Sequence, residues 1–304
     1  MSVKPLVQIL IVNWNGLQHL QTGLPSWLAT CYPHFEIVLL DNGSTDGSME
    51  WVKGHYPQVQ TIALDSNRGF AFANNVGLRR AIAAGVKYAV LLNNDTRVEP
   101  DWLEKLVEVA ERDSRIAICQ ARQRTWEGDQ EMVFRFIPEW AEAEHDLLPI
   151  TPPRDPFPTA FASGCAMLLR CAALERIGLF DERYFMYVED VDLSLRAWIS
   201  GYQVMDVPAA VVYHRMGGSV SHARQRMFWG YRNQLTTLFK LYEPGTLHAF
   251  AAPIRRRWFW TRNRHALRGT LAALAMLPGT LARRRAVQRQ RRESDRVFLE
   301  LCKT

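Results

Sequence analysis

The chain is poor in cysteine, has no long apolar run, and lacks the glycine-rich phosphate loops of the commoner nucleotide enzymes. Its five cysteines (Cys31, Cys119, Cys165, Cys171, Cys302) form no C-x-x-C pair and no even framework, which excludes a disulfide scaffold and suits a reducing compartment. No apolar stretch reaches the ~18 residues of a bilayer crossing. The best, Thr270 to Ala282, is interrupted by Pro278 and Gly279. Met1-Ser-Val-Lys-Pro runs straight into an apolar strand pattern, so no cleavable leader is expected. The expectation is a cytoplasmic protein, or one attached peripherally to the inner face of the cell membrane. Neither G-x-G-x-x-G nor G-x-x-x-x-G-K-[ST] occurs, which removes the dinucleotide fingerprint and the P-loop. A sugar nucleotidyltransferase, which needs a Gly-rich, Lys-bearing phosphate loop, is disfavoured for the same reason.

What is there is 304 residues with 48% hydrophobic and 22% charged side chains, enough for a full core. The net charge of +6 conceals an asymmetry: residues 255–304 carry +11, and residues 1–254 carry −5. Along the first half, short β-branched runs (Val7–Val12, Phe35–Leu40, Val59–Leu64, Tyr88–Leu92) alternate with helical patterns (Leu17–Cys31, Ser48–Tyr56, Phe70–Gly85, Pro100–Asp113). This alternation predicts an α/β fold with a mostly parallel, doubly wound, Rossmann-like sheet, whose ligands sit beyond the strands' carboxyl ends. The proline-rich stretch Trp126–Pro158 has little periodicity and reads as an irregular surface excursion. Ordered patterns resume at Phe161–Arg170, Phe180–Gly201 and Val204–Val212, and from about Thr237 the chain turns helical and basic.

Polar clusters follow the predicted strands. Asp41-Asn-Gly-Ser-Thr-Asp-Gly-Ser48 offers a carboxylate to a ribose or base, although a turn with a helix cap suits the same residues. Leu91-Leu-Asn-Asn-Asp-Thr96 presents oxygen ligands where a hard divalent cation could sit, or a plain turn. In Phe185-Met-Tyr-Val-Glu-Asp-Val-Asp-Leu-Ser-Leu-Arg196, the residues Val188, Val191, Leu195 and Trp198 form a buried stripe, and Asp192 and Arg196 pair most simply on the surface. Capping at a helix N-terminus accounts for Glu189 and Asp190 on the residues alone. Tyr213-His-Arg-Met-Gly-Gly-Ser219 adds a histidine beside glycines, which permits close approach of a phosphate.

Taken in order from Val7 to about Lys240, Val12-Asn-Trp-Asn, Asp41-Asn-Gly-Ser-Thr-Asp, Asn67-Arg-Gly-Phe-Ala, Leu92-Asn-Asn-Asp-Thr, Ser163-Gly-Cys-Ala, Phe180-Asp-Glu, Glu189-Asp-Val-Asp-Leu, Tyr213-His and Tyr231-Arg-Asn resemble family 2 of the inverting glycosyltransferases. The wording is similar to the bacterial rhamnosyltransferase-like branch, which builds cell-surface polysaccharides and lipid-linked glycans. The resemblance implies the A-type glycosyltransferase fold over residues 1–240, followed by a basic amphipathic helical extension over 241–304. It implies that Asn13 and Asp41 hold the base and ribose of a dTDP- or UDP-sugar, and that Asn67, Arg68 and Gly69 line the same pocket with Asn93 and Asn94. Asp95 would bind Mg²⁺ or Mn²⁺, with His214 as a further ligand or diphosphate contact, and Asp190 would be the catalytic base. Many relatives have Asp-x-Asp where this chain has Asn93-Asn-Asp95, which weakens the expected metal site. The acceptor would be a hydroxyl of a glycan or lipid-linked glycan.

The tail interleaves cations and aromatics in Arg255-Arg-Arg-Trp-Phe-Trp-Thr-Arg-Asn-Arg264, then adds Arg283, Arg284, Arg285, Arg289, Arg291 and Arg292 around an apolar segment. That composition favours an anionic membrane surface, ahead of a solvated helical face or nucleic acid. The competing functional class is a non-catalytic nucleotide- or polyanion-binding module acting through the tail, with the carboxylates as mere caps.

Overall fold

The computed structural model describes residues 4–152, 154–215 and 223–302. Strands β1 (Val7–Asn13), β2 (Phe35–Asp41), β3 (Gln60–Ala63) and β4 (Tyr88–Leu92) alternate with helices α1 (Leu17–Leu28), α2 (Ser48–His55) and α3 (Gly69–Ala83), within a few residues of the sequence pattern. The later elements are β5 (Thr96–Val98), α4 (Trp102–Arg112), β6 (Ile116–Thr125), β7 (Gln130–Ile137), β8 (Glu142–Pro149), β9 (Phe157–Pro158) and β10 (Ala166–Arg170). After them come α5 (Cys171–Ile177), α6 (Glu189–Ile199), β11 (Gln203–His214) and α7 (Ala223–Leu241).

The main sheet runs β3-β2-β1-β4-β10-β6-β11-β5. The first four strands are mutually parallel, as is β6 with β11, while β10 and β5 run antiparallel to their neighbours. The mostly parallel, two-sided sheet expected from the alternation is therefore present. Alternate residues of β1 show the reason: Val7, Ile9 and Ile11 pack into the core on the α1, α2 and α4 side, and Leu10 into the core beneath α3 and α5–α7.

Two expectations are corrected. The stretch Trp126–Pro158 is not irregular throughout: β7 and β8 form an antiparallel hairpin, paired from Gln130↔Pro149 to Ile137↔Glu142. The prolines that hid it sit at its turn (Pro138) and at its end (Pro149), where no ladder bond is lost. Nor do Asp192 and Arg196 pair on the surface. Asp192 is fully buried; it accepts from Arg196 Nε at 2.9 Å and meets Lys240 Nζ at 2.6 Å. Lys240 also reaches Asp181 at 2.9 Å, and Tyr184 donates to Asp192 at 3.3 Å. Burial alone would raise Asp181, but Arg183 and Lys240 outweigh it and hold the carboxyl well below the usual carboxylate range.

Beyond α7 the chain folds back as α8 (Pro244–Ala249), α9 (Ala251–Ile254), a π-helical turn (Arg255–Phe259), α10 (Arg264–Ala275), α11 (Leu277–Gln290) and α12 (Arg296–Leu299). Trp258 and Phe298 are fully buried in the same core as α6 and α7. Arg284 Nη1 donates to the carbonyls of Phe239 and Tyr242 at 3.0 and 2.6 Å, satisfying the open end of α7. Part of the tail's charge is thus structural. Among the described residues, no helix is long and apolar enough to cross a membrane.

Removing Lys240 takes the shared cation from two buried carboxylates, leaving Asp192 with Arg196 alone and Asp181 with Arg183. Lys240→Met is expected to lower unfolding free energy by about 3–5 kcal/mol, measured by denaturant titration. A loss within the scatter of surface substitutions would show that the cluster does not hold α6 to α7.

Candidate active site

The carboxyl ends of β1, β2 and β4 converge. Asn13 and Asp41 are register partners across the β1–β2 ladder, both buried. Asn13 Nδ2 donates to Asp41 Oδ1 (3.3 Å), Ser44 Oγ (3.2 Å) and Ser48 Oγ (3.0 Å), while its Oδ1 accepts from Asn94 Nδ2 at 2.8 Å. A Cβ on Gly16 would lie 2.4 Å from both Asn13 Oδ1 and Asn94 Nδ2, so only glycine lets this loop approach the pair. Asn67, Arg68 and Gly69 form the neighbouring wall at the start of α3. Asn42 ties them in: its Nδ2 donates to Asn67 Oδ1 at 3.1 Å, and its Oδ1 accepts from the Arg68 backbone N–H at 2.9 Å. The Arg68 guanidinium lies 3.7 Å over the Phe72 ring.

Asp95 and His214 meet across the antiparallel β5–β11 pair, with Asp95 Oδ1 3.2 Å from His214 Nε2. Burial opposes charge on His214, but the Cys165 sulfur and the Asp95 carboxylate beside it push the imidazole up to about 11. Carboxylate and imidazole 3.2 Å apart would be a suitable donor pair for a divalent ion, whose binding would displace the imidazole proton. Among the described residues no group of three or more His, Cys, Asp or Glu is placed to hold a metal ion, so a cation on this pair would draw its other ligands from substrate or water. Gly217, Gly218 and Ser219 of the expected phosphate-facing turn lie outside the described residues.

Asp190 occupies the first turn of α6. Its Oδ2 accepts from the Gly164 N–H at 3.0 Å and its Oδ1 from the Val191 N–H at 2.8 Å. Burial raises Asp190 despite those two donors, and burial together with the Asp190 charge raises Glu189 well above the ordinary range. Glu189 Oε2 is buried with no partner among the described residues. A cavity of about 590 Å³ opens here, bordered by Glu189, Asp190, Tyr187 and residues of α7. The Ser163-Gly-Cys-Ala segment bridges the two halves, because Cys165 O accepts from the Asn93 N–H at 2.8 Å while Gly164 holds Asp190.

Sequence reasoning quoted Tyr231-Arg-Asn without giving it a role. Phe185, Tyr187 and Val188, just before Asp190, all adopt positive φ (63°, 69° and 72°), a strained run for non-glycine residues. Asn233 Nδ2 lies 3.0, 3.0 and 2.8 Å from the carbonyls of Tyr184, Met186 and Tyr187, and Arg232 Nη2 donates to Tyr184 O at 2.7 Å. These side chains brace the loop. Its other face meets α3: a Cβ on Gly69 (φ +83°) would lie 2.4 Å from Phe185 O.

The mostly parallel α/β sheet with polar loops at its carboxyl edge is that of the A-type glycosyltransferase fold. Residues 8–178 match glycosyl transferase family 2, and the chain belongs to that family of inverting glycosyltransferases. It is 29% identical to the N-acetylglucosaminyl-diphospho-decaprenol L-rhamnosyltransferase of Mycobacterium tuberculosis, over 94% of this chain and 96% of that one. Among solved structures it is similar to a mannosyltransferase from Pyrobaculum calidifontis in complex with GDP-Man and Mn²⁺ (18% identity, TM-score 0.60, covering 91% and 76% of the two chains). It is also similar to S. aureus TarS 1–349 (15% identity, TM-score 0.61, covering 93% and 83%).

The bracing of the strained loop is testable. Asn233→Ala is expected to cost about 1–3 kcal/mol of stability by leaving buried carbonyls unpaired. It should lower kcat more than it weakens nucleotide binding, read by thermal unfolding, turnover and calorimetry on one preparation.

Proposed function

We propose that the protein transfers a sugar, rhamnose or another hexose, from a dTDP- or UDP-sugar to a hydroxyl of a lipid-linked glycan. It does so at the cytoplasmic face of a membrane, by a single in-line displacement. The observation that carries this reading is a half-buried carboxylate, Asp190, on the wall of a cavity and joined by one backbone segment to the Asn93–Asp95 loop.

In this reading Asn13 and Asp41 take the base and ribose, and Asn67, Arg68, Gly69, Asn93 and Asn94 line the donor pocket. Asp95 and His214 hold Mg²⁺ or Mn²⁺, which as a Lewis acid supplies charge compensation for the departing nucleoside diphosphate. Asp190 accepts the proton of the acceptor hydroxyl as that oxygen attacks the anomeric carbon. The N–H groups of Gly164 and Val191 occupy one lone pair on each of its oxygens, which fixes the carboxylate and leaves room for the hydroxyl. Partial desolvation makes the carboxylate a stronger base than a fully exposed aspartate. The mycobacterial relative, a rhamnosyltransferase named for a decaprenol-linked substrate, supports both sugar and acceptor class. The match to glycosyl transferase family 2 counts against the non-catalytic polyanion-binding alternative.

Calorimetry with UDP, dTDP and GDP, with and without Mn²⁺, tests the donor site: one nucleotide should bind in a metal-dependent way. Asp190→Asn is expected to keep that binding and lose transfer by at least about a hundredfold, the usual scale of general-base catalysis. Loss of binding together with transfer would sink the assignment. Because Asp190 acts as the carboxylate and its pKa is raised, activity should fall as pH drops through a value above the ordinary aspartate range. An acid limb at or below 3.8 would contradict this.

The segment 241–304 is proposed to meet the membrane. Phe259, Trp260, Leu267 and Leu271 are exposed, Trp260 at 71%, alongside Arg255, Arg256, Arg264 and Arg268. Co-sedimentation with vesicles containing anionic lipid should be strong at low salt and weakened by Trp260→Ala with Leu271→Ala. Equal binding to neutral vesicles, or none to either, would remove the anionic-membrane role.

A further inference from the structure

The cavity beside Asp190 has one wall that the catalytic reading does not use. Glu142 comes from β8, Tyr231 and Gln234 from α7, and Arg257 from the π-helical turn of the C-terminal segment. That turn is keyed in place by Trp258, fully buried, whose Nε1 donates to Tyr231 O at 3.0 Å. The adjacent residue, Arg257, is thereby held over the Trp140 ring at 4.3 Å, 2.7 Å from Glu142 and 3.3 Å from Gln234 Oε1. Widened helical turns of this kind occur often at functional sites.

Three atoms at this wall are buried without a hydrogen-bond partner among the described residues, Arg257 Nε, Glu189 Oε2 and Glu142 Oε2, the last meeting Arg257 only as an ion pair. Each such group carries a desolvation cost unless a ligand satisfies it. The wall's charge decides what that ligand is. Arg257 is already balanced by Glu142, so a phosphate would meet a carboxylate along with the guanidinium. A hydroxyl both donates and accepts, and can serve the carboxylate and the guanidinium together. Tyr187 and Tyr231 add aromatic surface, and about 590 Å³ falls within the roughly 300–1,000 Å³ of small-molecule sites.

We propose that this cavity is the acceptor-sugar subsite, in which Arg257, Glu142 and Gln234 grip the hydroxyls of the acceptor's terminal sugar within reach of Asp190. The C-terminal segment is then part of the active site as well as a membrane contact. The proposal rests on the glycosyl-transfer reading. It differs from that reading in assigning acceptor choice to residues away from the carboxyl edge of the parallel strands, one of which, Arg257, lies beyond residue 240.

The test uses the full chain with Mn²⁺, dTDP-rhamnose as donor and a short-prenyl diphosphate N-acetylglucosamine as acceptor. Arg257→Ala is expected to raise the acceptor KM roughly ten- to hundredfold, the scale of a lost charge-assisted hydrogen bond, with kcat and nucleotide affinity little changed. Arg257→Lys keeps the charge without the planar fork and should not restore the acceptor KM. Glu142→Gln, which preserves shape, should act in the same direction and serves if Arg257→Ala fails to fold. An unchanged acceptor KM in both variants, or a uniform loss of kcat, donor affinity and melting temperature, overturns the subsite. Intact nucleotide binding with no transfer by the wild type to this lipid-linked sugar also overturns it. A wild type that binds no nucleoside diphosphate overturns the glycosyl-transfer reading itself, and the subsite with it.

Discussion

Lys240 sits between two buried carboxylates, Asp181 and Asp192, and the geometry of the catalytic half depends on that arrangement. Bringing three charges into the interior is costly unless they neutralise and hydrogen-bond one another. The cluster therefore has few alternative arrangements, and that gives it directional control. Asp192 lies two residues from Asp190 on the same helix. Fixing Asp192 against α7 fixes the rotation of α6, and so the direction in which Asp190 projects. Arg196 adds to the same lock by donating to Ile177 O (2.6 Å), Gly178 O (3.0 Å) and Leu179 O (2.7 Å).

The strained loop ahead of α6 follows from this constraint. With the helix pinned, residues 185–188 must connect it to the Glu182–Tyr184 turn over a short distance, and three of them do so at positive φ. Arg232 and Asn233 offset that strain with side-chain donors. Phe185 then meets Gly69 on the donor side, and Gly164 and Cys165 connect Asp190 to Asn93. Sheet edge and helix are thus joined through backbone groups, which hold their positions better than paired side chains do.

Much of the sheet was legible because its strands are buried on both faces and read as unbroken apolar runs. The polar loops at their ends were legible because Asn13, Asp41 and the Asn93-Asn94-Asp95 cluster each follow such a run directly. The β7–β8 hairpin was not, since its prolines suggest a break and its half-exposed strands mix polar and apolar residues. Asp192 and Arg196 were misjudged for a different reason. A spacing of four on a helix says that two side chains can meet but not which face is covered, and what covers this face is Lys240, 48 residues away. Arg257 was legible only as one more positive charge, because its role depends on Trp258 turning inward while Phe259 and Trp260 stay out.

The middle residue of Asn93-Asn94-Asp95 also has a physical reading. Asn94 donates its amide to Asn13 Oδ1, and Asn13 donates in turn toward Asp41 and two serine hydroxyls. Neutral amides thus relay donor to acceptor around one charge, and a carboxylate at 94 would face the Asn13 oxygen and break the relay. The Asp95 charge is matched by His214. A cation bound there would owe much of its affinity to the diphosphate oxygens it shares with Asp95, which couples metal binding to nucleotide binding by mass action.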